Sequence, residues 1–138
     1  LAELEANDWI PFRQLAKGTG SLIMLSHVIL AELDRENPIS FSRAVEQKVI
    51  RASWKFDGVL ITDDLTMGAA YNHGLCGATI KSLNAGVDLL LISYDYEKLY
   101  EALYCAHSAY DSGLLDKAML DLSAQRLLRL GSGQTVQP

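Results

Sequence analysis

The sequence predicts an α/β fold on a parallel sheet, and three observations carry that prediction. Three short runs, "SLIML" at 21–25, "VLIT" at 59–62 and "VDLLLIS" at 87–93, are continuously apolar and too brief for helices. Between them lie stretches whose apolar residues recur at helical spacing, the pattern of βαβ units. None of the three runs alternates apolar with polar residues, which marks strands buried on both faces beneath helices.

The elements follow in chain order. A helix is expected from Asn7 or Asp8, with Pro11 tolerated in its first turn, Ile10, Phe12 and Leu15 along it, and Gly18 at its end. The first strand, Ser21 to Leu25, stops at Ser26-His27. Residues 28–41, with Asp34, Asn37 and Pro38, read as a long loop. Ser42 suits the N-cap of "RAVEQKVIRASW", in which Val45, Val49, Ile50 and Trp54 make a helical stripe ended by Asp57-Gly58. The second strand, Val59 to Thr62, runs into Asp63 and Asp64, after which "LTMGAAYNHGLCG" reads as loop or broken helix. "ATIKSLNAG" forms a short helix ended by Gly86, and the third strand is Val87 to Ser93. Asp95 caps a helix with Leu99, Leu103, Ala106 and Tyr110 on one face, ended by Gly113. Asp116 caps the last helix. Residues 1–131 are expected to fold as the domain and 132–138 to form a flexible tail.

At 138 residues, 49% hydrophobic and 21% charged, the chain has the balance of one globular domain or part of one. A net charge of -5 and scattered basic residues argue against nucleic acid as a partner. Cys76 and Cys105 allow a single bridge but are expected as two buried thiols, and with no CxxC, HExxH or Cys/His ligand spacing no metal or cofactor is implied. No apolar run approaches the roughly 18 to 20 residues of a membrane span. The chain opens at Leu1, and a three-stranded parallel sheet leaves two unpaired edges, so further chain upstream is expected. The cytoplasm is the favoured compartment, with export left open.

In parallel α/β folds ligands meet the sheet where strands end at their carboxyl termini. The three exits here are Ser26-His27, Thr62-Asp63-Asp64 and Ser93-Tyr94-Asp95. Adjacent carboxylates beside an apolar run repel one another and resist desolvation unless cations, hydrogen bonds or a substrate use them, so the Asp pair is the strongest signal. Strand alternation lets only one of the two face the site, and the residues alone do not say which. His107 reads as structural, His73 as a weaker rim candidate, and Met67 as either a cover for a ligand or a filler of a gap.

"FDGVLITDDLTMGAA" and "ATIKSLNAGVDLLLIS" resemble the closing half of the barrel domain of glycoside hydrolase family 3, most closely its bacterial β-N-acetylglucosaminidase (β-hexosaminidase) branch. "IMLSHVILAELDRENPISFS", "LAELEANDWIPFRQLAKG" and "LDLSAQRLLRLG" extend the resemblance over nearly the whole chain. The resemblance implies the last three βα units of a (β/α)8 barrel, a carbohydrate substrate, and Asp63 as the nucleophile of a retaining glycosidase, with an acid/base about 5 to 5.5 Å away. His27, Asp64 and Met67 are then expected at the substrate site around it, Asp64 by orienting or hydrogen-bonding its surroundings. The Asp-His loop that supplies the acid/base in this branch, and its Lys-His-Phe-Pro-Gly segment, are not in the chain. Activity would therefore need the upstream half, in the same polypeptide or as a partner. Cys76-Gly77 stand where the branch tends to have Glu-Ala. Two other readings compete: a receiver-like module using the Asp pair for Mg²⁺, which lacks the expected Lys after the third strand, and a non-catalytic barrel piece serving assembly.

Overall fold

The computed structural model describes residues 1–17, 21–71 and 73–132. Gly18, as the end of the first helix, and tail residues 133–138 lie outside the described residues. Three strands, β1 (Leu22–Leu25), β2 (Val59–Asp64) and β3 (Leu89–Leu91), form one sheet in the order β1-β2-β3, parallel throughout. β1 and β2 pair from Leu22 against Val59 to Leu25 against Thr62. β2 runs two residues further than expected and includes both Asp63 and Asp64.

The helix expected from Asn7 or Asp8 begins instead at Ile10, as α2 (Ile10–Ala16), and a separate helix α1 (Ala2–Ala6) precedes it. Pro11 sits in the first turn of α2. It has no N–H, and its ring would clash with the carbonyl four residues back, so one helix cannot run through it.

Residues 26–43 are mostly irregular, with a single 3₁₀ turn at Ile39–Phe41. Asp34 organises this loop: its carboxylate accepts from the Glu36 and Asn37 amides and from the Ser42 hydroxyl at 2.9–3.0 Å. Ser42 in turn accepts the Val45 N–H at 3.3 Å, the capping bond expected of it.

The helix that follows, Ala44–Ser53, is a π-helix and departs from the α-helical stripe predicted for it. Its buried residues are Val45, Glu46 and Ile50. Its i→i+5 bonding widens the turn and brings residues five apart, Val45 with Ile50 and Glu46 with Arg51, nearer to one side than α-helical winding does. That winding turns Arg51 toward Asp88, whose carboxylate it meets at 2.8 Å.

After β2 come α3 (Gly68–Tyr71) and α4 (Leu75–Ala85), which ends at Gly86 with φ of 109°. A side chain is strained in that left-handed conformation, so glycine suits the C-cap. α5 (Tyr96–Asp111) and α6 (Lys117–Gly131) start at Asp95 and Asp116, each accepting backbone N–H bonds as predicted. The face of α5 is reversed, however. Ala102, Cys105 and Ala109 are buried, while Leu99, Leu103 and Tyr110 are exposed. The small residues let α5 lie close against α4, its main helical neighbour.

That approach also corrects the expectation of two thiols. Cys76, in the first turn of α4, and Cys105 of α5 form a disulfide with Cα atoms 5.2 Å apart, well inside the usual span. Sequence spacing carries no information about this proximity, which arises from helix packing.

One face of the sheet is covered. Leu25 and Leu60 pack there with Ile50, Phe56 and Val87, and Ile23 packs against them. On the other face Leu22 is 44% and Met24 54% exposed, and Ile61 is only half-buried. Burial on both faces, predicted from the unbroken apolar runs, thus holds fully on one; on the second Val59, at the start of β2, is buried, while Leu22, Met24 and Ile61 are not.

At the amino end of β3, Asp88 is fully enclosed. It pairs with Arg51 and Arg126 at 2.8 Å each and accepts the Leu60 N–H at 2.8 Å. Glu46 lies beside this network, with neither carboxylate oxygen hydrogen-bonded among the described residues. Burial pushes its carboxyl well above the usual range, against the opposing pull of Arg51. A group whose pKa is raised by folding stabilises fully at acid pH and loses that contribution as pH rises through its folded value. Glu46→Gln is therefore expected to raise stability near neutral pH by on the order of 1–3 kcal/mol and to flatten its decline with rising pH, read by urea denaturation at a series of pH values. Reducing the Cys76–Cys105 bridge, which spans 29 residues, should cost about 3–4 kcal/mol, read as a lower melting temperature in the presence of a thiol reductant.

Candidate active site

The carboxyl ends of the strands bring together the three polar exits seen in the sequence. β2 is irregular here: Ile61 pairs with Leu89 but Asp64 pairs with Leu91, so β2 carries one extra residue. Such bulges re-aim side chains next to active sites. Thr62 fills the interrupted ladder with its hydroxyl, which accepts the Leu91 N–H at 3.0 Å.

The two aspartates part company at this point. Leu60, Thr62 and Asp64 are buried on the helix-covered side, while Ile61 and Asp63 are half-buried on the open side. Asp64 is saturated by neutral donors. Its Oδ1 accepts from the Thr66 amide at 2.8 Å and hydroxyl at 2.6 Å. Its Oδ2 accepts from the Ser93 amide at 3.0 Å, the Ser93 hydroxyl and the Tyr94 amide at 3.2 Å. Burial acts to raise its pKa, but the bonds from Ser93 and Thr66 outweigh this and hold its carboxyl well below the usual range. The Asp63 carboxylate, by contrast, accepts one hydrogen bond among the described residues, from the Asp64 amide to Oδ1 at 2.8 Å.

His27, at the exit of β1, also turns its polar atoms to the chain. Nε2 lies 3.0 Å from the Asp64 carbonyl oxygen and Nδ1 lies 2.7 Å from the Ser40 hydroxyl. Its ring lies 5.8 Å from that of Phe41, which also meets His73 edge-on at 5.5 Å. Met67, 48% exposed, stands on the turn after the Asp pair, where its amide donates to the Asp64 carbonyl at 3.0 Å. His27, Asp63, Asp64 and Met67 therefore gather at one end of the sheet. His107 lies away from it, on the exposed side of α5, beside Asp111 at 3.0 Å. Sequence reasoning missed Ser40, Thr66 and Ser93 as partners. Ser93 alone had a legible signal, its place at a strand exit.

Among the described residues the sheet is parallel, with helices over one face, polar side chains at its carboxyl end and an unpaired edge on each side, which is how neighbouring strands of a (β/α)8 barrel look when taken apart from the rest. Residues 1–130 match the glycosyl hydrolase family 3 N terminal domain, and the chain belongs to that family. It is similar to a beta-hexosaminidase of Tolumonas auensis, 46% identical over 91 residues, covering 64% of this chain and 27% of the relative. A beta-hexosaminidase of Thiobacillus denitrificans is 33% identical over 131 residues, covering 94% of this chain and 33% of the relative. Among solved structures, the family 3 β-N-acetylglucosaminidase of a Paenibacillus strain superposes with a TM-score of 0.89 at 30% identity, over 95% of this chain and 25% of that one. The β-N-acetylglucosaminidase of Thermotoga maritima superposes at 0.87 with 25% identity, over 94% and 29%. The chain thus spans about a third or less of the length of these curated relatives.

Folding lowers the Asp64 pKa, so its stabilisation is complete at neutral pH and is lost as pH falls below the ordinary carboxylate range. Asp64→Asn, which turns an NH₂ or a weaker acceptor toward several donors, should lower stability by on the order of 2 kcal/mol near neutral pH. The deficit should shrink toward strongly acid pH, as measured by denaturant titration of both proteins.

Proposed function

We propose that the chain carries the nucleophile of a retaining glycoside hydrolase that removes terminal N-acetylglucosamine-type residues from glycans such as cell-wall fragments. The observation that carries this reading is the contrast within the Asp pair: Asp64 is consumed by the fold, whereas Asp63 stands on the open face of the strand end with Oδ2 unpartnered among the described residues. The beta-hexosaminidase names of the relatives supply the sugar class.

In this reading an oxygen of the Asp63 carboxylate attacks the anomeric carbon. The bond from that carbon to the leaving-group oxygen breaks, and the oxygen takes a proton from a general acid. Water then attacks the glycosyl-Asp63 ester, returns a proton to the same group acting as base, and frees the sugar and the carboxylate. The acid/base belongs to the remaining part of the barrel, supplied in the same polypeptide or by a partner chain. The partly open sheet face with Leu22 and Met24, and the two strand edges unpaired among the described residues, support such completion. Met67, exposed on the rim, covers one side of the sugar. The Cys76–Cys105 disulfide favours an oxidising compartment over the cytoplasm expected from the sequence.

The test is hydrolysis of an aryl N-acetyl-β-glucosaminide. The 138 residues alone are expected to be inactive, and the assembled barrel active. Asp63→Asn in the assembled barrel should lower kcat at least about a thousandfold. Saturable turnover by the isolated chain, or full activity in the Asn variant, would sink the proposal.

A further inference from the structure

The resemblance places His27 at the substrate, yet both of its ring nitrogens are engaged by the protein. The Asp64 carbonyl oxygen can only accept, so Nε2 must carry the hydrogen at 3.0 Å. In the neutral ring Nδ1 is then an acceptor, and the Ser40 hydroxyl donates to it at 2.7 Å. Ser40 is itself fully buried, on the 3₁₀ turn that begins where the Ile39 N–H returns to the Val28 carbonyl at 2.9 Å. The ring orientation is therefore set from behind by a loop that is pinned at both ends.

What the ring holds is the residue next to the candidate nucleophile. The Asp64 carbonyl takes two hydrogen bonds, from His27 Nε2 and from the Met67 amide. On the amino side of the same residue, the Asp64 N–H donates to Asp63 Oδ1 at 2.8 Å. Four groups thus stand in series: the Ser40 hydroxyl, the His27 imidazole, the Asp64 backbone and the Asp63 carboxylate. The Asp64 side chain ties this residue to β3 through Ser93 and Tyr94, while His27 ties its backbone to β1.

We infer that His27 is a positioning residue, orienting the Asp63 carboxylate through the backbone of Asp64 with Ser40 as its own support. The inference rests on the reading of Asp63 as nucleophile. A carboxylate attacking an anomeric carbon must arrive in a narrow geometry, and a displacement of about 1 Å can cost about a hundredfold in rate. His27 fixes the N–H that aims one carboxylate oxygen and so leaves the other directed to the open face.

The experiment uses the assembled enzyme. His27→Ala is expected to lower kcat for an aryl N-acetyl-β-glucosaminide about 10- to 100-fold, with KM and the inhibition constant of free N-acetylglucosamine within about threefold of the parent. His27→Gln, whose amide NH₂ reaches about as far as Nε2, should recover most of the loss, and Ser40→Ala should fall between. A purely structural role would lower the melting temperature in step with kcat and give no rescue by Gln. A role as substrate ligand would raise KM and the inhibition constant together. Either result overturns the inference. Independently of turnover, nitrogen NMR of the imidazole should show the Nε2–H tautomer, and an Nδ1–H tautomer overturns the relay. If the assembled parent enzyme hydrolyses nothing, the proposed function has failed, and the tautomer still decides the hydrogen-bond arrangement.

Discussion

The fold depends most heavily on the enclosed carboxylate of Asp88. Its two oxygens meet guanidinium groups of Arg51 and Arg126 at 2.8 Å and accept the amide of Leu60. One side chain thereby joins the π-helix, the second strand, the third strand and the last helix. Removing one partner from such a buried pair leaves a charge uncompensated, which costs several kcal/mol, so the four elements are bound to a single arrangement. The π-helix is part of the same constraint, because its wider winding brings Glu46 and Arg51 toward one side, where both lie beside Asp88.

Asp64 does a comparable task at the opposite end of the sheet with different chemistry. No cation pairs with it among the described residues; hydroxyl and amide groups of Thr66, Ser93 and Tyr94 satisfy it instead. The consequence is electrostatic. Neutral donors stabilise the buried charge without cancelling it, so the mouth of the sheet keeps its negative potential where Asp63 stands. The separation of the two roles, arginines behind the sheet and neutral donors at its mouth, is what makes one aspartate structural and leaves its neighbour accessible.

Much of this was legible locally. Asp95 and Asp116 each precede a helix and accept from its first amides, because a short carboxylate next to free N–H groups needs no help from distant residues. Gly86 ended its helix for an equally local reason, its positive φ. The three apolar runs hold the three strands, although the third covers only Leu89–Leu91 of the expected Val87 to Ser93. Elsewhere the prediction failed where a distant partner decided the outcome. The stripe of Leu99, Leu103 and Tyr110 has the right spacing for a core face, yet Ala102, Cys105 and Ala109 took that position, since a close helix neighbour selects for small volume. The disulfide follows from the same close packing.

At the candidate site the division is sharper. The sequence by itself determined that two carboxylates end an apolar strand, that histidine and serine end its neighbours, and that the motifs around them belong to a glycosidase family. The family resemblance named Asp63, but the physical separation of the two carboxylates was decided by tertiary structure. Side chains alternate along any strand, so sequence places Asp63 and Asp64 on opposite faces but does not name the face covered by helices. That assignment came from the packing of Leu60 and Thr62, from a bulge against the third strand, and from Ser93 some 29 residues away closing on Asp64. Hydrogen bonds across such separations depend on where whole elements dock, and docking is set by the summed burial of many residues rather than by any local pattern.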